Sequence, residues 1–280
     1  MIVRGTTLVF AVIGDPVRHS LSPILHNAAI AALGVDAIYV ALPVVDDAIA
    51  AALEGVRALG IAGLSVTMPH KTAVAAAVDE VSDDVRALDA ANTVVRLPDG
   101  RLRGESTDGP GCLDALAASG VDVAGKRCLV FGAGGAGRSV ILALARAGAA
   151  EIGVVNRSDG RAAAALALAG AVGVRRTADA GSDAQIIINA TPLGMGSSST
   201  ELLFDPSRLG SGQIVNDLVY HPLETPLLLA ARAAGAVAVG GLGMLLHQGA
   251  RQFHLWTGER APIDVMRAAI VAELAGRAVS

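Results

Sequence analysis

Lys71 is one of two lysines among 22 basic residues; the other is Lys126, and the remaining 20 are arginines. Arginine stays protonated at any accessible pH, whereas a lysine ammonium can be tuned to exchange its proton. An ammonium kept in so arginine-rich a chain points to a requirement other than charge. Lys71 closes the segment Ser65-Val66-Thr67-Met68-Pro69-His70-Lys71, which reads as a short strand running into a proline turn. The two-residue period of a strand places the hydroxyls of Ser65 and Thr67 on one face, just ahead of the lysine. A solvated lysine at a helix start is the alternative. The scarcity of lysine and the adjacent hydroxyls favour a proton-exchanging group, so Lys71 is the catalytic candidate.

A second chemistry is written in Gly132-Ala133-Gly134-Gly135-Ala136-Gly137, a G-x-G-x-x-G loop between an apolar run at 128–131 and a helical pattern at 139–147. Gly132 suits a tight turn, Gly134 lets a pyrophosphate approach the backbone, and Gly137 lets helix and strand pack closely. The helix start then offers free N–H groups to phosphate oxygens. The next strand, at 151–155, ends in Asn156-Arg157-Ser158, with Arg161 beyond it. An acid at this corner would meet the ribose hydroxyl of NAD; two guanidiniums and a hydroxyl suit the 2′-phosphate of NADP.

Other polar residues sit in suggestive places. Ser20 and Ser22 precede Pro23 at a helix start. Ser22 reads best as an N-cap, which leaves the Ser20 hydroxyl available to an anion. Asp108 either caps the helix expected near Pro110 or takes part in chemistry. Asn92, Asn156, Asn189 and Asn216 lie next to strand signals.

The elements that must hold these residues alternate. Strands are expected at 8–13, 38–43 and 62–67, with helices at 23–33, up to about 59, and at 72–80. A strand–turn–strand follows at 92–105 around Pro98-Asp99-Gly100. From about 108 a second α/β series begins, and 245–279 reads as helical with no strand after it. Strands separated by helices imply mostly parallel sheets with crossovers. The fold class is therefore α/β in two domains: a substrate domain at 1–107, completed by helices at 246–280, and a Rossmann domain at 108–245.

Composition narrows the function. Hydrophobic residues make up 52%, charged residues 17% and aromatics 2% of the 280, so the cores are aliphatic. A net charge of −4 without basic runs argues against a nucleic-acid partner. Cys112 and Cys128 form no disulfide framework, and neither they nor the six histidines have metal-ligand spacing, so no metal is expected. No signal segment or membrane span is apparent, and a cytoplasmic protein is expected, as a monomer or homodimer with a small-molecule substrate.

Taken in order, these segments resemble the shikimate dehydrogenase family. The match includes His19-Ser20-Leu21-Ser22-Pro23, Ser65 to Lys71, Ala91-Asn92-Thr93, Ser106-Thr107-Asp108-Gly109 and the Gly132–Gly137 loop with Asn156-Arg157-Ser158. It continues through Asn189-Ala190-Thr191-Pro192-Leu193-Gly194-Met195, Asp217-Leu218-Val219-Tyr220 and Gly241-Leu242-Gly243-Met244 followed by Gln248. The resemblance implies two α/β domains facing a cleft and NADP-linked, reversible reduction of 3-dehydroshikimate to shikimate, a step of aromatic amino-acid biosynthesis. It implies that Ser20, Ser22 and Tyr220 hold a carboxylate, that Thr67, Lys71, Asn92, Asp108 and Gln248 hold ring hydroxyls, and that Lys71 and Asp108 form the catalytic pair. Asp83, Thr191, Leu218 and Gly241 match positions near the nicotinamide or ribose. The family usually carries asparagine at the positions of Ser65 and Ser106, which leaves quinate or another cyclohexane carboxylate as an alternative substrate. A nucleotide sensor that keeps the fold without the chemistry is the other alternative.

Overall fold

The computed structural model describes residues 2–177, 179, 181, 183–196 and 201–277. Two compact units emerge: Met1–Thr107 with Gln248–Ser280, and Asp108–His247.

The first unit opens with β1 (Leu8–Gly14), α1 (Ser22–Leu33), β2 (Ala37–Pro43), α2 (Ile49–Leu59), β3 (Gly63–Val66) and α3 (Lys71–Ala77). It continues with β4 (Glu80–Val81), α4 (Asp83–Leu88), β5 (Thr93–Arg96) and β6 (Leu102–Glu105). The strands lie in the order β2-β1-β3-β5-β6-β4. Ladders β1–β2, β1–β3 and β4–β6 are parallel, while β3–β5 and β5–β6 are antiparallel. The sheet is thus mixed, because the tight turn at Pro98-Asp99-Gly100 can only return the chain antiparallel. The helix expected through residue 80 stops at Ala77, and Glu80–Val81 pairs with β6 instead.

The second unit comprises α5 (Asp108–Ala118), β7 (Arg127–Phe131), α6 (Gly135–Arg146), β8 (Glu151–Val155), α7 (Asp159–Ala169), β9 (Gly173–Arg175), β10 (Ile186–Asn189), β11 (Ile214–Asp217), α8 (Pro226–Ala233) and β12 (Val237–Gly240). Its sheet, β12-β11-β10-β7-β8-β9, is parallel throughout. Strand residues alternate between two cores. Cys128, Val130, Ile186 and Ile188 face α6 and α7, while Leu129, Phe131 and Ile187 face the α8 side. Burial on both faces explains why these strands read as unbroken apolar runs.

Two helices close the chain, α9 (Leu242–Thr257) and α10 (Ile263–Arg277). In the first unit, the C-terminal part of α9 covers one sheet face. Phe10 of β1 stacks on Trp256 at 5.1 Å, and the indole Nε1 donates to the Val94 carbonyl at 3.0 Å. Any Cβ at Gly63 would collide with Trp256, so the strand must be bare there. The opposite face packs Ala11, Ile13, Leu64, Val66 and Val94 on Ile49, Leu53 and Val56 of α2. Each valine, leucine or isoleucine among them contributes about 1.5–3 kcal/mol when fully buried.

Candidate functional site

In the second unit, sheet order reverses between β7 and β10, and there the structure has a cavity of about 570 Å³. Crevices at such switch points, beyond the carboxyl ends of the strands, are where open α/β sheets take ligands. The glycine loop forms its floor. Gly132 has φ of +100°, and a Cβ there would lie 2.8 Å from the Ala190 carbonyl. A Cβ at Gly137 would collide with the Gly132 carbonyl, so α6 can approach β7 only through a glycine. At Gly134, which caps α6, a Cβ would meet nothing within 4 Å. The first two glycines serve the fold, while the third keeps open the space a pyrophosphate needs. Gly135 and Ala136 begin the helix and carry unsatisfied N–H groups.

Asn156 braces the far wall: its Oδ1 accepts from Ala133 N–H at 3.2 Å, and its Nδ2 donates to the Ser158 carbonyl at 3.0 Å. Ser158 caps α7, accepting from Arg161 N–H. Arg157 and Arg161 both line the cavity, and among the described residues neither guanidinium makes an ion pair. Sequence reasoning missed Arg175. It donates to the carbonyls of Val154 and Asn156 and pairs with Asp159 at 2.9 Å, tying down the corner. Only the β8–β9 register, Val154 opposite Arg175, brings it there, and nothing local announces it.

Thr191 lines the same cavity, held by two hydrogen bonds to Asn189 Oδ1 at 2.9 and 2.7 Å. Asn189 Nδ2 in turn donates to the Asp217 carboxylate at 2.9 Å, which also accepts from Thr225 Oγ1 at 2.6 Å. Asp217 is fully buried, and burial pushes its carboxyl up against the opposing effect of these donors. Neither Asn189 nor Asp217 was among the expected site residues, although both end strands within recognised motifs. Leu218 N–H donates to the Asn189 carbonyl at 3.0 Å, and Gly241 packs against the Leu218 backbone so closely that no Cβ fits. Tyr220 follows at a half-buried position.

In the first unit, Lys71 is the first residue of α3, after His70. A cation is disfavoured by the helix dipole at that end, so the lysine is not there to stabilise the helix. His70 is fully buried and hydrogen-bonds the Val44 carbonyl through Nε2 at 2.7 Å, while Ala91 N–H donates to the Lys71 carbonyl at 2.9 Å. Thr67 is half-buried just beyond β3, its carbonyl accepting from His70 N–H. Asn92 is buried, with Oδ1 accepting from Thr107 N–H at 2.8 Å and Nδ2 donating to Thr107 Oγ1 at 2.9 Å. That pair fixes the backbone one residue before Asp108. Beyond Asp108, the Gly109 N–H donates to Ser139 Oγ at 2.8 Å.

Ser20, not Ser22, takes the capping contact. Ser22 is the first residue of α1, the N-cap position belongs to Leu21, and it is Ser20 Oγ that accepts from Ser22 N–H at 3.2 Å. The helix begins one residue early because Pro23 is tolerated anywhere in the first turn. Asp83 starts α4 in the first unit and pairs with Arg86 at 2.6 Å. Ser65 is nearly buried, accepting from Tyr39 Oη at 2.6 Å and donating to Gln252 Oε1 at 2.7 Å. Gln248 lies one turn before Gln252 on α9. Among the described residues no group of His, Cys, Asp and Glu could hold a metal, and no helix is long and apolar enough to cross a membrane.

The second unit's parallel sheet, in the order β9-β8-β7-β10-β11-β12 with a glycine loop at its switch point, is that of a dinucleotide-binding domain, here joined to a mixed α/β unit. Family models match in three stretches: the shikimate dehydrogenase substrate binding domain at 12–94, the shikimate 5′-dehydrogenase C-terminal domain at 241–271, and an F420-dependent NADP oxidoreductase domain at 127–219. A shikimate dehydrogenase (NADP⁺) of Symbiobacterium thermophilum is 45% identical over 98% of this chain and 97% of its own. A crystal structure of a shikimate dehydrogenase with NADP⁺ is 37% identical over 98% of each chain, with a TM-score of 0.93. A quinate dehydrogenase of Corynebacterium glutamicum in complex with NAD is 30% identical over 95% of this chain and 99% of its own, with a TM-score of 0.88. The chain belongs to the shikimate dehydrogenase family.

Proposed function

We propose that this protein is an NADP-dependent shikimate dehydrogenase, interconverting shikimate and 3-dehydroshikimate in aromatic amino-acid biosynthesis. The observation that carries the reading is the switch-point cavity, with a glycine floor shaped for a pyrophosphate and Arg157 and Arg161 at its ribose corner. NADP, when bound, supplies the hydride acceptor. The chain's own residues do the rest. The loop 132–137 holds the pyrophosphate, Arg157, Ser158 and Arg161 hold the 2′-phosphate, and Thr191, Leu218 and Gly241 border the nicotinamide side, with Asp83 assigned to the cofactor from the first unit. Ser20, Ser22 and Tyr220 anchor the substrate carboxylate. Ser65, Thr67, Asn92 and Gln248 read the ring hydroxyls. Lys71 takes the proton of the reacting hydroxyl as the carbinol hydrogen leaves as hydride, and it returns that proton in the reverse direction. Asp108 orients both the hydroxyl and the ammonium.

Steady-state assay of shikimate and quinate, each with NADP and NAD, tests this directly. Shikimate with NADP should give the highest kcat/KM, and Arg157→Ala should raise the KM for NADP while leaving that for NAD nearly unchanged. Equal efficiency with NAD in the unaltered protein would refute the cofactor assignment. Quinate is the second reading, favoured by the likeness to a quinate dehydrogenase; a higher kcat/KM with quinate would establish it.

A further inference from the structure

Behind Ser65 and Asn92 lies a buried polar chain that none of the roles above uses. Tyr39 on β2 and Gln252 on α9 are 2% and 1% exposed, so neither reaches a ligand. Ser65 and Thr93 are directly opposed across the antiparallel β3–β5 ladder, hence on one face, and Gln252 lies over both. Gln252 Nε2 donates to the Asn92 carbonyl at 3.2 Å and to Thr93 Oγ1 at 3.0 Å. Thr93 Oγ1 donates onward to Asn92 Oδ1 at 3.0 Å.

The direction of each proton from Tyr39 to Gln252 follows from one fact. The Asn92 main-chain carbonyl can only accept, so the Gln252 atom facing it must be the nitrogen. Oε1 then faces Ser65, which must give it the hydroxyl proton. Tyr39 Oη, in turn, must donate to Ser65. With its proton spent and one lone pair taken, Ser65 has only a lone pair left. Asn92 is held in place beside it, its Oδ1 accepting from Thr93 Oγ1 and Thr107 N–H and its Nδ2 donating to Thr107 Oγ1.

We propose that Gln252, supported by Tyr39, is the positioning residue that sets the polarity of Ser65, making it an acceptor toward the ring hydroxyls. This rests on the assignment of shikimate as substrate. A hydroxyl meeting Ser65 must then donate its proton there, which selects hydroxyls over ring ethers or ketones at the Ser65 contact.

The test is steady-state kinetics on the full-length protein. The unaltered enzyme must first oxidise shikimate; failure there overturns the functional reading and leaves the hydrogen-bond argument out of account. Gln252→Met keeps the length but removes both polar atoms. It should raise the KM for shikimate about tenfold, the effect of one misdirected buried hydrogen bond. Its kcat should stay within about threefold, and its KM for NADP should not change. Gln252→Glu supplies an independent readout. Ionised, it has no donor for the Asn92 carbonyl; protonated, it regains one, and burial raises its pKa. Its KM relative to the unaltered enzyme should therefore fall as pH drops from about 8 to about 6. Tyr39→Phe should give a smaller rise of the same kind. An unchanged KM in Gln252→Met, a parallel rise of both KM values, or a pH-independent defect in Gln252→Glu would each overturn the proposal.

Discussion

His26 on α1 is 1% exposed, stacked on Tyr39 at 4.3 Å and tilted against Trp256 at 5.2 Å. Burial pushes the imidazole from 6.5 down to about 3, against a smaller upward effect of the Gln252 side chain. The unfolded chain therefore binds this proton before the folded one does. Stability from a neutral His26 is complete well above pH 6.5, is lost as pH falls below it, and levels off under about pH 3. Fully developed, the loss is about 5 kcal/mol; at about pH 5, where the unfolded imidazole is charged and the folded one is not, it is about 2 kcal/mol. Trp256 is the chain's single tryptophan and belongs to the same cluster, so its fluorescence reports on the first unit. Urea titrations at about pH 7.5 and about pH 5 should show the unaltered protein losing about 2 kcal/mol more than His26→Phe, which keeps the aromatic stack and cannot titrate. If both lose the same amount, the imidazole is not held neutral and the reasoning fails.

Three further outcomes follow from the geometry. Lys71→Ala should lower kcat by about two to four orders of magnitude with unchanged NADP binding, and Lys71→Arg should not rescue it; near-normal turnover in the arginine variant would reduce Lys71 to an electrostatic clamp. Gly134→Ala should leave the Tm unchanged and raise the KM for NADP, whereas Gly137→Ala, which sets a Cβ against the Gly132 carbonyl, should lower the Tm itself. Asp217 has its carboxyl raised by burial, so the folded state keeps that proton to higher pH, and stability falls as pH rises from 3.8 through the raised value. Asp217→Asn should remove this fall in thermal melts taken at rising pH from about pH 4. An unaltered slope would show that the carboxyl is not perturbed.

Much of the fold was legible because its signals are local. The glycine spacing, the apolar run before it and the helical pattern after it fix β7, the loop and α6 within a few residues. The hairpin of β5 and β6 was announced by Pro98-Asp99-Gly100. Strand β4 was not legible, since two residues carry no period and the helical pattern of α3 runs smoothly into them. That Ser20 rather than Ser22 makes the capping contact turns on a single residue of helix start, which sequence does not resolve. In the sequence Ser65 shows only as a serine where the family usually carries asparagine. In the structure its hydroxyl is spent on Tyr39, 26 positions earlier, and Gln252, 187 positions later. An asparagine there would have to displace one of them, so Ser65→Asn does not simply add a contact.

The split of the first unit along the chain bears on how the protein is made. Its strands all lie before Asp108, yet Phe253, Trp256, Met266 and Ile270, which complete its core, emerge from the ribosome only after the whole of Asp108–His247. The second unit is continuous and can bury both faces of its sheet as soon as it is synthesised. The later unit in sequence is therefore the first able to finish folding, and the nascent first unit waits with the Phe10, Tyr39 and Gly63 face of its sheet covered by α1 alone. The aggregation hazard of synthesis falls on that face. Closing it costs little extra for the length of chain in between, since loop-closure entropy grows only about 0.6 kcal/mol per doubling, and a folded insert replaces most of the flexible loop.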